Sequence, residues 1–506
     1  MGFFGRKRES VPPHPRREPR IALPLSLESL EQVFQGTVDF SKRPVQLAGD
    51  GKKILTLCYV EGMVRMERVS DYVLRPMAQD RELARLADMK DVMRQMEEGA
   101  LYSLGVERRN TMDQAVGDLV AGNCLLLFPG EGEALSFNVG TEEKRGISAP
   151  ENETVLKGSR DAFVEGIRTN TSLVRRHLKA PELKIREQVV GRQSLTAVDV
   201  LYIDGIANME LVEQTQAQLS RLDIDALLAA GNIEEYIAGQ TSTPFPLVQY
   251  TERPDRFCGG LAEGRVGILI DGLPLGYLAP GTIGDFLRAA QDKSSNWMVA
   301  TMLTALRYIC LMITLTLPAL YVAVVTFHQE MIPTRLALSI ISAKRDVPFA
   351  SVFEVLILLI AFEILQEAGL RLPQAIGQTV SIIGGLVVGT AAVEAKIVSP
   401  AVLIVVAIAG IAGYTMPSQE LAGALRLWRF ALALLAGAAG LFGAVMGLAA
   451  LVCHLAGIES FGVSYLTPFA ANEGEQVQGQ AVLRQPLPKT KLRPAALRTK
   501  NKRNQG

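Results

Sequence analysis

Long apolar runs dominate the chain from Trp297 to Phe469, whereas the residues before them mix charged, polar and apolar positions. Uninterrupted apolar stretches of about 18 or more residues are typical of membrane-spanning helices. The runs are Trp297–Phe327, Phe349–Gln366, Ile376–Ala395, Ala401–Met416 and Phe430–Ile458. This pattern predicts an all-α integral membrane domain of four to five hydrophobic helices over residues 296–470, and it excludes a simple soluble enzyme.

The residues before the first run show a pattern that occurs twice. In each copy a predicted strand, Ile54–Val60 or Ala197–Ile203, ends in an acidic residue and a glycine and is followed by a predicted helix. A second strand with a glycine turn recurs at nearly the same offset, at 122–130 and 264–272. We infer an internal duplication, which predicts an α/β soluble N-terminal region built from two similar α/β subdomains.

These patterns divide the chain into six regions. They are a basic disordered arm and lead-in (1–44), a first α/β subdomain (45–147), a helical connector containing Asp161–Leu178 (148–189), a second α/β subdomain (190–295), the membrane domain (296–470) and a basic cytoplasmic tail (471–506).

Charge and composition argue against several functions. Lys+Arg and Asp+Glu both number 52, and this zero net charge argues against a nucleic-acid partner. The five cysteines are scattered and the four histidines are few, so we expect no metal site, no cofactor and no enzyme activity. A basic cluster on the predicted connector helix has two interpretations, a solvated face or a contact with a subunit or lipid headgroup: Arg175, Arg176, His177 and Lys179.

Three carboxylates interrupt the second apolar run: Glu354, Glu363 and Glu367. Glu354 and Glu363 fall on opposite faces of a helix, and Glu367 shares the face of Glu363. A carboxylate that faces lipid is costly, so we expect all three to be buried in protein, to line water or to lie at the interface. Lining a pore and pairing within the bundle, for example Glu363 with Arg371, both remain possible from sequence. This run is also our candidate for one that does not cross the membrane fully.

Small residues recur at helical spacing in two of the runs. Gly377, Ser381, Gly385 and Gly389 share one face of the third run, and Gly443 and Gly447 form a GxxxG motif in the fifth. Such faces allow close helix packing, either within one subunit or between copies around an axis. The second arrangement predicts a pore-lining helix with Ser381, Thr390 and Glu394 exposed to water, where a terminal carboxylate attracts cations.

The tail after Ala471 is strongly basic and short, so the positive-inside rule places it in the cytoplasm. The N-terminal region lacks an export signal and is expected there as well. Both expectations together require an even number of crossings, so the sequence leaves four and five spans open.

Specific motifs then show a resemblance over roughly residues 45–470. They include Leu317-Pro-Ala-Leu-Tyr-Val-Ala323, Phe362-Glu-Ile-Leu365, Arg371-Leu-Pro373, Ile397-Val-Ser-Pro400, Arg168-Thr-Asn170, Tyr202-Ile-Asp-Gly205 and Thr251-Glu-Arg-Pro-Asp255. The sequence resembles the A subunit of the GerA family of spore germinant receptors. The resemblance implies an inner spore-membrane protein that acts with a nutrient-binding, transporter-like B subunit and a lipoprotein C subunit.

The resemblance also implies that A subunits form a ring, proposed to be pentameric, that acts as a germinant-gated cation channel. The expected gating movement widens the ring around Ile376–Ala395. Two alternatives are a paralogous channel subunit that amplifies germination without its own nutrient sensor, and a non-conducting membrane scaffold.

Overall fold

The structure is a computed structural model. It describes residues 21–48, 50–86, 88–100, 105–140, 157–228, 234–237, 242–371, 389–469, 484–486 and 492–504, together with the single positions 150, 153, 155 and 490.

The first sheet has five strands in the order β1-β2-β4-β5-β3, and each neighbouring pair is antiparallel. Its elements are α1 (Leu27–Val33), β1 (Phe40–Leu47), β2 (Asp50–Val60), α2 (Met66–Val69), a π-helical turn (Ser70–Leu74), α3 (Arg75–Gln79), α4 (Arg81–Arg85), α5 (Met89–Gln95), a second π-helical turn (Met96–Ala100), β3 (Val106–Arg109), α6 (Met112–Ala121), β4 (Cys124–Leu127) and β5 (Ala134–Phe137).

The second sheet repeats this order as β6-β7-β9-β10-β8. Its elements are α7 (Ile167–His177), β6 (Leu183–Val190), β7 (Thr196–Ile203), α8 (Met209–Ser220), β8 (Gln249–Thr251), α9 (Pro254–Glu263), β9 (Val266–Ile270), β10 (Gly276–Ala279), α10 (Ile283–Phe286) and α11 (Ala290–Ser294). The glycine after β2 and the glycine after β7, Gly62 and Gly205, both have left-handed backbone, with φ of 75° and 77°.

Both sheets are covered on both faces. Along β2, Leu55 and Leu57 face one apolar cluster, whereas Cys58 and Val60 face another. This alternation follows from the two-residue period of a strand. Inner strands such as β4 and β9 are buried at every position and read as nearly continuous apolar segments, whereas β1 at the sheet edge is mostly exposed or half-buried.

Two element bounds differ from the expected domain limits. The strand β1 already begins at Phe40, and β6 lies inside the region expected to be a helical connector. The strand β6 pairs with β7 from Leu183↔Ile203 to Val190↔Thr196, so it belongs to the second sheet. Along β6, Leu183, Lys184 and Ile185 are all buried, so the two-residue alternation that marks a strand is missing, and the sequence placed the boundary too late.

The apolar C-terminal part consists of helices of 6 to 39 residues, most of which pack around one core. They are α12 (Trp297–Phe327), α13 (Thr334–Lys344), α14 (Ser351–Arg371), α15 (Gly389–Glu394), α16 (Pro400–Gly413) and α17 (Gln419–Gly457). Among the described residues, α12 and α17 are long and apolar enough to cross a membrane. The helix α14 carries three glutamates, and α16 has 14 residues. The number of spans, four or five, therefore stays a prediction.

The helix α17 folds back on itself. Ala439 and Gly440 have non-helical backbone, and Gly440 has a φ of 63°. The rings of Trp428 and His454 lie 5.7 Å apart, whereas 26 positions along a straight helix span about 39 Å. We call residues 419–438 the first arm and 441–457 the second arm of the hairpin. The sequence interpretation of Phe430–Ile458 as one continuous run is wrong, because the turn at Ala439 and Gly440 lies inside it.

The hairpin has its tip at one end of the bundle and both open ends at the other. A Cβ placed on Gly440 would lie 3.0 Å from Cβ of Phe327, the last residue of α12. At the other end, His454 Nε2 lies 3.1 Å from Oγ1 of Thr243, and Ser460 Oγ donates to the Leu247 carbonyl. The hairpin therefore starts and ends beside the second subdomain.

Candidate functional site

Glu354 is fully buried near the end of the bundle that lies away from the second subdomain. Its carboxylate accepts a 2.8 Å hydrogen bond from the Ser399 backbone N–H, at the start of α16. The Lys344 ammonium lies 3.1 Å from its other oxygen. A buried carboxylate is tolerated when a cation and a donor compensate its charge. Glu354 therefore joins the ends of α13, α14 and α16 and is paired within the bundle.

Glu363 lies nine positions further along α14 and contacts the first arm of the hairpin. Its two oxygens lie 3.2 Å from Arg426 and 2.5 Å from Arg429, whose residue surface is 2% exposed. The sequence suggested Arg371 as the partner, but the structure supplies two arginines from another helix. Because one carboxylate faces two guanidinium groups, the cluster carries a net positive charge inside the bundle.

Glu367 is exposed in the part of the chain that the structure describes. Of the three arrangements expected for Glu367, burial within this chain is therefore wrong, whereas a water-lined or an interface position stays a prediction. The helix α14 ends at Arg371, so Glu367 belongs to its last turns.

The predicted pore face is only partly described. Gly377, Ser381 and Gly385 lie outside the described residues. Gly389 begins α15 and is buried, and a Cβ placed on it would lie 3.2 Å from Leu403 of α16. Thr390 and Glu394, one turn apart, are both exposed.

The GxxxG motif lies between the two arms of the hairpin. A Cβ added to Gly443 would lie 2.0 Å from the Leu435 carbonyl oxygen, and one added to Gly447 would lie 2.6 Å from Leu432 Cδ2. Neither position admits a methyl group without movement of the first arm. This small-residue face therefore packs within one subunit.

An ion pair joins the second subdomain to α12. Arg307 lies three turns into α12, and its guanidinium donates to both oxygens of Asp292 on α11, one of them at 3.0 Å. Behind this pair, Arg265 donates to Asp285 at 2.8 Å and to the Pro280 carbonyl at 2.6 Å. Burial opposes ionisation of Asp285, but the charges of Arg265 and Arg288 and the hydrogen bonds from Thr282 and Arg265 together outweigh it, and they hold the pKa of that carboxyl below its ordinary value.

The basic tail contacts the second subdomain. Arg493 Nε donates to the Ala262 carbonyl at 2.8 Å, and the Lys500 N–H donates to Ile206 at 3.1 Å. Arg484 donates to carbonyls at the end of α11, including that of Lys293 at 3.0 Å. Sequence reasoning treated the tail only as a charged segment, since its partners are backbone carbonyls that no motif marks.

The basic cluster of the connector contains a buried residue. Arg175 is 1% exposed, and it donates to both oxygens of Asp39, at 2.8 and 2.9 Å. Asp39 precedes β1 of the first sheet, so this ion pair joins the two subdomains through α7. The interpretation of this cluster as a solvated face is wrong for Arg175, because its partner lies far away in the sequence.

The described residues contain no group of three or more His, Cys, Asp or Glu side chains placed to hold a metal ion. The arrangement provides a physical connection between the soluble subdomains and the apolar helices. The second subdomain, joined to the first by the Arg175–Asp39 ion pair, is linked through α11 and the tail to α12, and α12 contacts the tip of the hairpin.

Comparison with known proteins identifies the family. The family model described as Bacillus/Clostridium GerA spore germination protein matches residues 28–496. Spore germination protein KA of Bacillus subtilis is 35% identical over 464 residues, which cover 92% of this chain and 84% of that protein. The uncharacterized membrane protein YfkQ of the same organism is 38% identical over 459 residues, which cover 89% of this chain and 87% of YfkQ.

A solved structure is also similar. The N-terminal domain of the A subunit of the Bacillus megaterium spore germinant receptor GerK3 is 30% identical, with a TM-score of 0.41, and the match covers 50% of this chain and 92% of that one. With the family match across both the soluble and the membrane parts, this chain belongs to the GerA family of spore germination proteins.

Proposed function

We propose that this chain is the membrane subunit of a nutrient germinant receptor in bacterial spores. It assembles into a homo-oligomeric ring, a pentamer by analogy with the family, that acts as a germinant-gated cation channel. A transporter-like B subunit binds the nutrient, and a lipoprotein C subunit completes the receptor. The observation that carries the proposal is the continuous connection from the soluble subdomains through Asp292 and Arg307 to the membrane bundle.

This connection supplies a path for gating. A partner that binds the soluble region or the bundle shifts the open and closed populations only through different affinities for the two states. Because Arg307 is tied to Asp292 and the far end of α12 abuts Gly440, a displacement of the second subdomain moves α12 against the hairpin. The segment after α14, which ends in α15, is the proposed pore lining.

The proposed pore chemistry rests on α15. Thr390 and Glu394 are exposed on a helix whose buried glycine packs on α16, and an exposed carboxylate at a pore mouth concentrates cations. Glu354 and Glu363 are not proposed to line the pore, because each has a cationic partner within the bundle.

The proposed location is the inner membrane of the spore, with the N-terminal region and the tail in the cytoplasm. Two segments that contact each other lie on the same side of a membrane. The hydrogen bonds from Arg493 and Lys500 to the second subdomain support a common side for both ends. The hairpin, which starts and ends beside that subdomain, adds an even number of crossings.

The test is the native mass of the purified full chain, followed by conductance in planar bilayers. We expect a closed oligomer and a cation-selective current. Glu394→Gln should lower cation conductance severalfold, whereas Glu330→Gln, an exposed carboxylate beside the end of α12, should leave it unchanged. A monomer in several mild detergents, or equal currents from both variants, would contradict the proposal.

A non-conducting scaffold is the second candidate, and the internal pairing of Glu354 and Glu363 favours it. A scaffold gives no current alone or with B and C subunits, yet it retains them in pull-down experiments. A channel that only amplifies germination would conduct, but its deletion would weaken the response to every nutrient equally.

A further inference from the structure

A cavity of about 370 Å³ lies where the second subdomain, α11, the start of α12 and the tail meet. Its volume falls within the range of small-molecule sites. Six of its lining side chains are cationic and four carry carboxylates. The cations are Arg253, Arg256, Arg265, Arg288, Lys293 and Arg484.

The positive charge of the lining is only partly compensated. Arg265 is paired with Asp285, Arg253 with Asp255 at 2.7 Å, and Arg256 with Glu153, which lies outside the lining. In the described part of the chain, the hydrogen bonds of the Arg484 guanidinium go to backbone carbonyls rather than to carboxylates. Lys293 lies 3.5 Å from Glu263, and its side chain is 59% exposed. With Arg307 added to the six lining cations and Glu153 added to the four lining carboxylates, seven cationic side chains face five carboxylates among the described residues, so the cavity keeps an excess of positive charge.

The cavity lies at the level along α12 where the surface of a bilayer is expected. Trp297 begins α12 beside it and is 39% exposed, as is typical of an aromatic residue at a membrane interface. Arg307 reaches back from α12 to Asp292, which lines the cavity. A long cationic side chain that bends toward its helix end marks the boundary between the apolar core and the headgroups. Ala300 and Thr304 of α12 complete the wall at this level.

We propose that this cavity binds the phosphate group of an anionic phospholipid headgroup. Cationic side chains donate charge-assisted hydrogen bonds to phosphate oxygens, and the membrane supplies such headgroups at this depth. Free inorganic phosphate shares this chemistry, but the adjacent α12 favours the lipid. A bound headgroup would bridge the tail at Arg484 and the subdomain at Lys293, and so hold both against the first membrane helix.

The inference does not depend on conductance, so it is tested separately. The full chain is placed in nanodiscs of phosphatidylcholine, with and without phosphatidylglycerol, and the temperature of unfolding is measured. We expect phosphatidylglycerol to raise it by a few degrees, an effect that weakens at high salt. Native mass spectrometry then counts the retained anionic lipids.

Two variants and one matched control locate the effect. Lys293→Gln and Arg484→Gln should lose most of the phosphatidylglycerol shift. Lys502→Gln removes the same charge from an exposed tail position outside the cavity lining and should keep it. Since the Lys293 side chain is mostly exposed, its variant stays informative if Arg484→Gln fails to fold.

Two outcomes would overturn the proposal. If all three variants respond equally to phosphatidylglycerol, the attraction is a general surface effect. If inorganic phosphate in neutral detergent protects the parent chain and not Lys293→Gln, while phosphatidylglycerol has no effect, the cavity takes a soluble anion and the lipid assignment is wrong.

Discussion

Replacing Gly443 by alanine tests the hairpin directly. A Cβ at this position would lie 2.0 Å from the Leu435 carbonyl oxygen on the opposite arm. Ordinary contacts of such atoms begin at 3.4 Å, so the two arms would have to separate by more than an ångström. The contacted oxygen belongs to the backbone of the first arm, which cannot rotate out of the way as a side chain can.

The expected magnitude follows from two opposing effects. Alanine in a helix interior is more stable than glycine by about 1 kcal/mol. Forcing an extra methyl group into a packed interior costs about 1–3 kcal/mol. The matched control is Gly423→Ala on the first arm, where nothing lies within 4 Å of the added Cβ. That control gains the same propensity term without the packing cost, so the two variants should differ by the packing cost alone, about 1–3 kcal/mol.

Tryptophan fluorescence provides the assay. Trp428 packs on His454 across the hairpin, and the chain has two tryptophans, so a Trp297→Phe background reports on Trp428 alone. In mild detergent, Gly443→Ala should unfold at a lower temperature than Gly423→Ala and shift the Trp428 emission toward longer wavelength. If both variants unfold together with unchanged emission, Gly443 does not face Leu435 and the reasoning is refuted.

Three further predictions concern buried charges. Arg175→Ala should lower the free energy of unfolding by about 3–5 kcal/mol, because Asp39 is left buried without its cation. The control Lys179→Ala, at an exposed position, should change it by less than about 0.5 kcal/mol. Both are measured by thermal unfolding of the full chain. Burial raises the pKa of Asp199 to about 7, so its ionisation destabilises the fold as the pH rises from about 4 to 7. Asp199→Asn should therefore be stabilised relative to the parent at pH 8 but not at pH 4, and parallel stability–pH curves would contradict this. Glu363→Gln should reduce the yield of monodisperse protein in size-exclusion chromatography, since Arg429 loses its carboxylate; an unchanged profile would show that the pair contributes little.

The sequence predicted the elements with strong local patterns. The bounds of α12, Trp297–Phe327, coincide with the first apolar run, and the strand that ends at Ile203 was placed within one residue of its start. Periodicity and the change from polar to apolar composition are local signals. Predictions from these signals are correct wherever one helix or strand buries its apolar residues with its own regular period.

Local sequence patterns could not identify the partners of the buried charges. Arg175 belongs to a run of basic residues that resembles a solvated helix face, and its partner Asp39 belongs to the other subdomain. Glu363 has a nearby arginine in sequence, Arg371, but the structure pairs it with Arg426 and Arg429. Charge pairing depends on which helices become neighbours, and that is decided by packing of the whole bundle.

The sequence by itself determined the division of the chain into duplicated α/β subdomains and an apolar helical part. Hydrophobic periodicity and repeated turn residues depend only on residues that are close together in the sequence. Only the tertiary structure decided that α17 is a hairpin. Ala439 and Gly440 lie in a segment with further alanines and with glycines at 437, 443 and 447, so no local turn signal sets them apart. The free energy of packing Gly443 and Gly447 against the first arm, and Trp428 against His454, makes the chain reverse there.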